Sequence, residues 1–272
     1  MPKLSVIQSV YNRNPLIAES NLLNLIALEQ VGVDYEFIIF NDHGDAEIKE
    51  DLKDVLKNPR VVYVYSDINY GKGVCSGGWV GGMAHMHGEL IHFANQDDIY
   101  TPLFYSQSLS THANPSVMMT HANAFRVNED LTLAGVMLNP MYVVDYYTNP
   151  FEHFKFWFGV GENGNDEVTR ANNFVLAPSV IYKKTLHELI GPPDTDTYFG
   201  AADFEYWARI LFHGYKCIYF NEPSWLYRIS QHSTSIKVTD AADQTVGWNA
   251  KIREKYSKLY NERKETQCQT QS

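Results

Sequence analysis

The sequence has few of the features that secreted, membrane-spanning or nucleic-acid-binding proteins depend on. Cysteine occurs three times in 272 residues, at spacings that match neither a disulfide framework nor a zinc site. Basic residues number 22 against 32 acidic ones, and this net charge of −10 disfavours nucleic acid as a partner. No apolar run approaches the ~18–20 residues of a membrane span, and the N-terminus has no signal-peptide pattern. We therefore expect a cytoplasmic protein without an integral membrane segment.

The first half of the chain alternates short apolar strands with helical patterns. Hydrophobic residues make up 44% and charged residues 20%, a balance that predicts a folded chain. Strands are predicted at 4–10, 35–40, 61–65 and 90–94, with helices between and after them. This alternation over residues 1–113 predicts parallel strands joined by right-handed helical crossovers. The expected fold class is α/β, with a mixed, mainly parallel central sheet flanked by helices.

Individual elements can be placed along the whole chain. The first helix is predicted at 14–31, closed by Gly32, with an apolar stripe of Leu16, Leu22, Leu23, Ile26 and Ala27. Thr101-Pro102 predicts a capped helix start. The second half predicts antiparallel strands in 116–145, helices at 150–158, 183–190 and 202–213, a polar loop at 161–172 and a strand at 216–220. The tail from about 241 predicts a helix with one stripe, which either packs on the body or forms a homodimer contact: Ile252, Tyr256, Leu259 and Tyr260.

Polar clusters follow three of the predicted parallel strands, at 9–13, 41–45 and 95–98. Ligands of such sheets bind beyond the carboxyl ends of the strands, so these clusters are expected to form one site. In the third cluster, Asp97 and Asp98 are adjacent carboxylates that repel each other unless a cation compensates. Mg²⁺ or Mn²⁺ can bridge such oxygens to substrate phosphates. An ordinary capping turn before the next helix is the alternative.

Other candidate positions carry weaker signals. The glycine-rich stretch at 71–82 matches neither phosphate-loop template, and helix-to-sheet packing explains its later glycines, although Lys72 can reach a phosphate. Asp203 lies near a predicted helix start, where it is either a cap stabilised by the helix dipole or a general base. The segment from Tyr227-Arg228 to His232 is either a phosphate-binding loop or a surface loop.

Five segments together resemble the inverting glycosyltransferases of family 2, which have the GT-A fold, and the bacterial spore-coat members give the nearest pattern. The segments are 2–13, Asn41-Asp42, 88–102 with its Asp97-Asp98 turn, 200–209 and 227–235. The segment at 88–102 is the most specific match. Three positions depart from the family pattern. Asn95 and Ala202 stand where acidic residues are usual, and the basic residue expected before the fourth strand is not in place, with Lys72 as a nearby substitute. The QxxRW signature of processive members is absent, which favours transfer of a single sugar.

The resemblance implies a role for each candidate residue. It makes Asp203 the catalytic base and assigns nucleotide binding to Ser9, Tyr11, Arg13, Asp42, Lys72, Gln96 and Arg228. It assigns a Mn²⁺ or Mg²⁺ ion to Asp97, Asp98 and His232, with Asp97 as the main contact. The implied donor is a nucleotide-diphosphate sugar, with UDP favoured. The implied acceptor is a hydroxyl of a glycan, a lipid-linked glycan or another molecule.

The resemblance also implies a division of the chain. Residues 1–240 form a single catalytic domain, with a donor half at 1–113 and an acceptor half at 114–240, and 241–272 form a helical tail. Trp207 and the aromatic residues at 154–158 either stack on sugar or pack in the core. One alternative function is a non-catalytic module that binds nucleotide sugars or glycans. Another is a sugar-1-phosphate nucleotidyltransferase, whose G-x-G-T-R opening is absent after the first strand.

Overall fold

The fold is taken from a computed structural model that describes residues 3–71, 76–138, 149–161, 164, 166–231 and 241–271. The strands are β1 (Leu4–Val10), β2 (Tyr35–Asn41), β3 (Val61–Tyr65), β4 (Leu90–Ala94), β5 (Ile99–Tyr100), β6 (Val117–Val127), β7 (Leu133–Met137), β8 (Ile181–Lys183) and β9 (Lys216–Arg228). The α-helices are α1 (Ile17–Val31), α2 (Ile48–Asp51), α3 (Ser76–Met83), α4 (Pro102–His112), α5 (Pro150–Phe158), α6 (Leu186–Ile190), α7 (Thr195–Tyr198), α8 (Ala202–Phe212) and α9 (Ala241–Gln271).

The first four strands form the expected parallel half of the sheet, in the order β3-β2-β1-β4. Helix α4 begins as predicted, with Thr101 Oγ1 accepting a hydrogen bond from Phe104 N at 3.3 Å. Helix α3 packs closely on this half. A Cβ atom at Gly81 would lie 2.0 Å from the ring of Phe40, and one at Gly82 would lie 2.5 Å from Ile7. The later glycines therefore permit close helix-to-sheet packing, as predicted.

The second half of the sheet is mixed. Strand β8 runs antiparallel to β4 and β6, β9 runs parallel to β6, and β5 pairs antiparallel with the end of β9. The antiparallel strands expected in 116–145 are β6 and β7, and residues 139–145 of that range lie outside the described residues. Strand β9 is longer than the predicted 216–220. Its pairing with β6 shifts register between Phe220 and Trp225, around Pro223, so the sequence signal for a strand stops early.

Helix α1 differs from its predicted burial pattern. Leu22 and Ile26 of the expected apolar stripe are 40% and 52% exposed, whereas Ser20, Asn21 and Asn24 are fully buried. Leu16 and Leu23 are half-buried and Ala27 is buried, so the expected stripe was wrong for two of its five members. The polar face is buried because Asn21 bonds to Gln8 of β1, and Ser20 and Asn24 bond to the turn that follows β4.

Aromatic side chains fill the core on one face of the sheet. Phe154, Trp157 and Phe158 of α5 and Trp207 of α8 are buried within the same hydrophobic cluster. The structure therefore favours core packing for these residues and corrects the interpretation that they stack on sugar. The opposite face of the sheet is covered by α1 and α4, whose apolar residues belong to a separate cluster.

The C-terminal helix α9 packs back on the body. Ile252, Tyr256 and Tyr260 are buried in the same cluster as α5 and α8, and Leu259 packs against it. This agrees with the packing predicted for the stripe, so a homodimer formed by the tail would have to use another face. No helix among the described residues has the length and apolar character needed to cross a membrane.

Candidate functional site

The loops that follow β1 and β2 are bonded to each other at the carboxyl edge of the sheet. Asp45 N donates to Tyr11 O at 2.9 Å. The Asn41 side chain accepts from Gly44 N at 2.7 Å and donates to Asp45 O at 2.9 Å. A Cβ atom at Gly44 would lie 1.9 Å from Tyr11 O, so only glycine fits there. These contacts fix the backbone of Tyr11, whose side chain is 41% exposed at this edge.

Asp42 lies on the same turn and is almost completely buried. Its carboxylate accepts a hydrogen bond from Tyr70 N at 2.8 Å. Burial raises the pKa of Asp42, although backbone N–H groups of Tyr70 and Gly71 act in the opposite direction. The part-exposed rings of Tyr11 and Tyr70 flank these loops. A buried acceptor next to exposed aromatic rings is suited to a heteroaromatic base with an N–H donor.

The Asp97-Asp98 turn is held by the buried polar face of α1. Ser20 Oγ donates to Asp97 O at 3.2 Å, and Asn24 Nδ2 donates to Asp98 O at 3.1 Å. Asn24 Oδ1 in turn accepts from Tyr100 N at 2.7 Å. Three backbone groups of the turn are thereby satisfied by one helix face, which explains why that face is polar and buried.

The two aspartates of the turn differ in their contacts. Both oxygens of Asp98 act as acceptors, Oδ1 for Arg228 N at 3.1 Å and Oδ2 for Asn95 Nδ2 at 2.9 Å. Burial and then the charge of Asp97 raise the pKa of Asp98 well above its ordinary value. Gln96 Oε1 is buried and has no hydrogen-bond partner among the described residues. Asp98 therefore supports the turn, and the surrounding oxygens favour a cation at Asp97.

A divalent cation fits this oxygen set. Mg²⁺ and Mn²⁺ are commonly held by one or two carboxylates together with phosphate oxygens and water. Within the described ranges, no three His, Cys, Asp or Glu side chains cluster as a complete metal site. The third predicted ligand, His232, and the predicted phosphate contact Lys72 lie outside the described residues.

Arg228 brings a buried positive charge to this edge. Its backbone holds Asp98, and its guanidinium Nη2 lies 2.8 Å from Glu19 Oε2. The Arg228 side chain is completely buried, whereas that of Glu19 is 53% exposed. Glu19 was not among the predicted residues. Glu19 lies in the first turn of α1 and pairs with a residue far away in sequence, so no local sequence pattern predicts this contact.

Asp203 lies in the first turn of α8, as predicted. Its side chain is half-buried, and burial raises the pKa of its carboxyl group to about 6. Such a pKa leaves the group ionised at neutral pH while keeping it more basic than an ordinary aspartate, as a general base requires. Ala202 adds no second carboxylate beside it.

Two other predicted nucleotide residues have different environments. Arg13 is exposed, and its guanidinium makes two 2.6 Å hydrogen bonds to Asp51. Its backbone N also donates to Asp45 at 2.7 Å. In this structure Arg13 braces the loops, and its direct contact with the nucleotide stays a prediction. Ser9 lies at the end of β1 against α3, where a Cβ atom at Gly78 would lie 2.2 Å from Ser9 Cβ.

A comparison with known families identifies the chain. The model of glycosyl transferase family 2 matches residues 5–164, more than half of the chain. The chain belongs to glycosyl transferase family 2. The matched range includes Asp42 and the Asp97-Asp98 turn but ends before Asp203.

Solved structures of glycosyltransferases share the fold of this family 2 protein. The mannosyltransferase PcManGT from Pyrobaculum calidifontis, in complex with GDP-Man and Mn²⁺, is 16% identical with a TM-score of 0.58, covering 87% of this chain and 59% of that one. S. aureus TarS 1–349, in complex with UDP-GlcNAc, is 15% identical with a TM-score of 0.54, covering 85% and 60%. The chain thus spans about three fifths of these proteins, and the likeness shows the GT-A fold.

Proposed function

We propose that this protein transfers one sugar from a nucleotide-diphosphate sugar to an acceptor hydroxyl, with inversion at the anomeric carbon. The observation that carries the proposal is the buried Asp97-Asp98 turn, held by α1 beyond β4 in a family 2 domain. Two buried carboxylates at this edge repel each other and are stabilised by positive charge, which a cation bound to a diphosphate would supply.

The donor half of the proposed enzyme is residues 1–113. Asp42 and Tyr11 bind the base, and UDP is the favoured nucleotide because a buried carboxylate oxygen can accept the N–H of uracil. Guanine also offers N–H donors, and one structural neighbour was solved with GDP-Man and others with UDP or UDP-GlcNAc. Arg228 supplies positive charge for the diphosphate, and Lys72, Gln96 and Ser9 remain proposed contacts.

The proposed cofactor is Mn²⁺ or Mg²⁺ on Asp97, with Asp98 in support and His232 as a further ligand. When bound, such an ion neutralises charge on a departing diphosphate, a Lewis-acid effect of several kcal/mol. The protein's own residues position the donor through Asp42, and the polar face of α1 keeps the turn in place. Asp203 accepts the proton of the acceptor hydroxyl as its oxygen attacks the anomeric carbon, and the diphosphate leaves.

Residues 114–240 are proposed to shape the acceptor site. The acceptor class is a hydroxyl on a glycan, a lipid-linked glycan or another molecule. The cytoplasm stays the proposed location. Among the described residues, Cys217 is a buried thiol and Cys268 an exposed one.

The experiment is a thermal-shift panel with UDP, GDP, CDP, dTDP and their sugars, each with Mn²⁺, Mg²⁺ or EDTA. A ligand at about 100-fold its Kd adds ~2.7 kcal/mol to the stability of the folded state, a readable shift. We expect a metal-dependent shift with one nucleotide, and its loss in Asp97→Asn. The matched control is Glu50→Gln, which also removes one negative charge but lies on the exposed face of α2.

The outcomes separate the functions. No shift with any nucleotide in a folded sample would refute the proposed donor site. A nucleotide shift without release of nucleotide from any nucleotide sugar would instead favour a non-catalytic binding module. The non-catalytic module was suggested by residues such as Asn95 that depart from the family pattern. Asn95 Nδ2 donates to Asp98 and so supports the turn, which argues against that alternative.

A further inference from the structure

The first turn of α8 carries two carboxylates with different surroundings. Glu205 is fully buried and accepts from Arg209 Nη2 at 2.7 Å and from Lys255 Nζ at 2.6 Å. Asp203 is half-buried, and no cation pairs with it among the described residues. Because an α-helix turns about 100° per residue, the two side chains leave the helix on nearly opposite sides. Glu205 therefore anchors the helix from the side that Asp203 does not face.

Helix α9 supplies most of this anchor. Tyr256 OH lies 3.1 Å from Glu205 Oε1 and 3.3 Å from Glu205 O, and Lys255 is its neighbour in sequence. Tyr256 is completely buried, and Lys255 is part-exposed. The contact with the main-chain oxygen restrains the backbone of α8 itself, two residues after Asp203.

A second contact from α9 lies on the other side of Asp203. A Cβ atom at Gly200 would lie 2.2 Å from Trp248 Cζ3, so the indole occupies the space beside this glycine. Trp248 precedes Lys255 by seven residues, about two helical turns, and the two side chains share one face of α9. The backbone that carries Asp203 is thus held by α9 three residues before it and two residues after it.

We propose that α9 positions the catalytic base: Lys255 and Tyr256 are positioning residues that hold Glu205, and with it the turn that directs Asp203 to the acceptor. The inference rests on the proposed function. A general base must lie within about 2.6–3.2 Å of the group whose proton it takes. A displacement of about 1 Å can reduce the rate about 100-fold, so restraint of this turn affects turnover directly.

The first test compares Tyr256→Phe with Tyr260→Phe. Both variants remove one hydroxyl from the same helix face, and Tyr260 OH donates to Asp166 Oδ1 at 2.6 Å, away from α8. The assay is nucleotide release from UDP-GlcNAc and from GDP-mannose with MnCl₂ and water as acceptor. We expect Tyr256→Phe to lower kcat at least about 10-fold with an unchanged KM for the donor, and Tyr260→Phe to stay within about twofold. Equal effects on kcat would overturn the proposal.

A charge series gives an independent comparison. Lys255→Met removes one of the cations that bind Glu205. Lys264→Met, on the same helix, removes a 2.8 Å ion pair with Asp166 instead. Lys255→Met should lower kcat, Lys255→Arg should restore most of it, and Lys264→Met should leave it unchanged. If the kcat values instead follow the melting temperatures of all three variants, the role is structural and the proposal fails.

Hydrogen exchange separates this proposal from the proposed function. Without nucleotide, the amides of 200–206 should exchange faster in Tyr256→Phe than in the wild type, and at the wild-type rate in Tyr260→Phe. Unchanged exchange in Tyr256→Phe would contradict the proposal even if neither donor were turned over. Full turnover by Asp203→Asn would refute the role of Asp203 as the general base, and with it the proposed mechanism, whatever the hydrogen-exchange rates are.

Discussion

Mild acid should destabilise this protein, because three buried histidines are held neutral in the folded state. Burial lowers the pKa of His92 and of His112 to about 4, and that of His121 to about 3. His92 Nε2 lies 2.9 Å from the carbonyl oxygen of Pro178, and His112 Nε2 lies 3.1 Å from that of Ile181. A neutral ring with its proton on Nε2 satisfies each of these contacts.

The direction in which stability changes with pH follows from proton binding. An unfolded histidine titrates near ~6.5, so between about pH 6.5 and 4 the unfolded chain binds more protons than the folded one. Stability therefore falls as pH drops through this window. From pH 7 to pH 5 each histidine removes about 2 kcal/mol, and the three together remove about 6 kcal/mol of a typical ~5–15. The raised pKa values of Asp98 and Asp203 act in the opposite direction and offset part of this loss.

The assay is urea unfolding at pH 7 and at pH 5. His112→Gln keeps a donor for the carbonyl oxygen of Ile181 and removes the titration, so its loss of stability between the two pH values should be smaller than that of the wild type by about 2 kcal/mol. His85→Gln, at an exposed position, should show the wild-type loss. An undiminished loss in His112→Gln would refute the reasoning that buried neutral histidines control acid stability.

Three further predictions follow from the site. Asp203→Asn should abolish transfer while nucleotide affinity, measured by titration calorimetry, stays near the wild-type value; and since burial raises the Asp203 pKa to about 6, wild-type kcat should fall below that pH. Gly44→Ala should lower stability and nucleotide affinity together, because its Cβ overlaps Tyr11 O, and unchanged nucleotide affinity would contradict this. Asn24→Ala should cost about 2–4 kcal/mol in urea unfolding by leaving two buried backbone groups unpaired, whereas Leu22→Ala on the exposed face should cost less than about 1 kcal/mol.

The parallel half of the sheet was predictable because its signals are local. Each strand from 4–10 to 90–94 is a short apolar run closed by polar residues, and the structure places each within one residue of the expected bounds. Polar residues after such strands share one edge, which is why the contacts around Asp42 and the Asp97-Asp98 turn lie where the sequence indicated.

The remaining features depend on contacts between distant segments. Leu22 and Ile26 of the stripe predicted for helix α1 are exposed because burial there is decided by Asn24 bonding to the turn at Asp98, 74 residues away. Polar residues at positions 20, 21 and 24 lie on one helical face, and this spacing was the available signal. The pairing of Arg13 with Asp51 and of Arg228 with Glu19 likewise joins segments whose proximity no local pattern predicts.

Two of the departures from the family pattern, at Asn95 and Ala202, fit a single electrostatic arrangement. With Asn95 in place of an acid, an amide donates to Asp98 where a third carboxylate would repel it, so both oxygens of Asp98 are engaged and Asp97 is the proposed contact for the cation. With Ala202 in place of an acid, Asp203 has no carboxylate beside it, and burial is the cause of its raised pKa. At each of these positions, the residue present avoids placing a second negative charge beside a buried carboxylate. The site therefore keeps the two charges that its proposed chemistry uses, one for the diphosphate-bound cation and one for the acceptor proton.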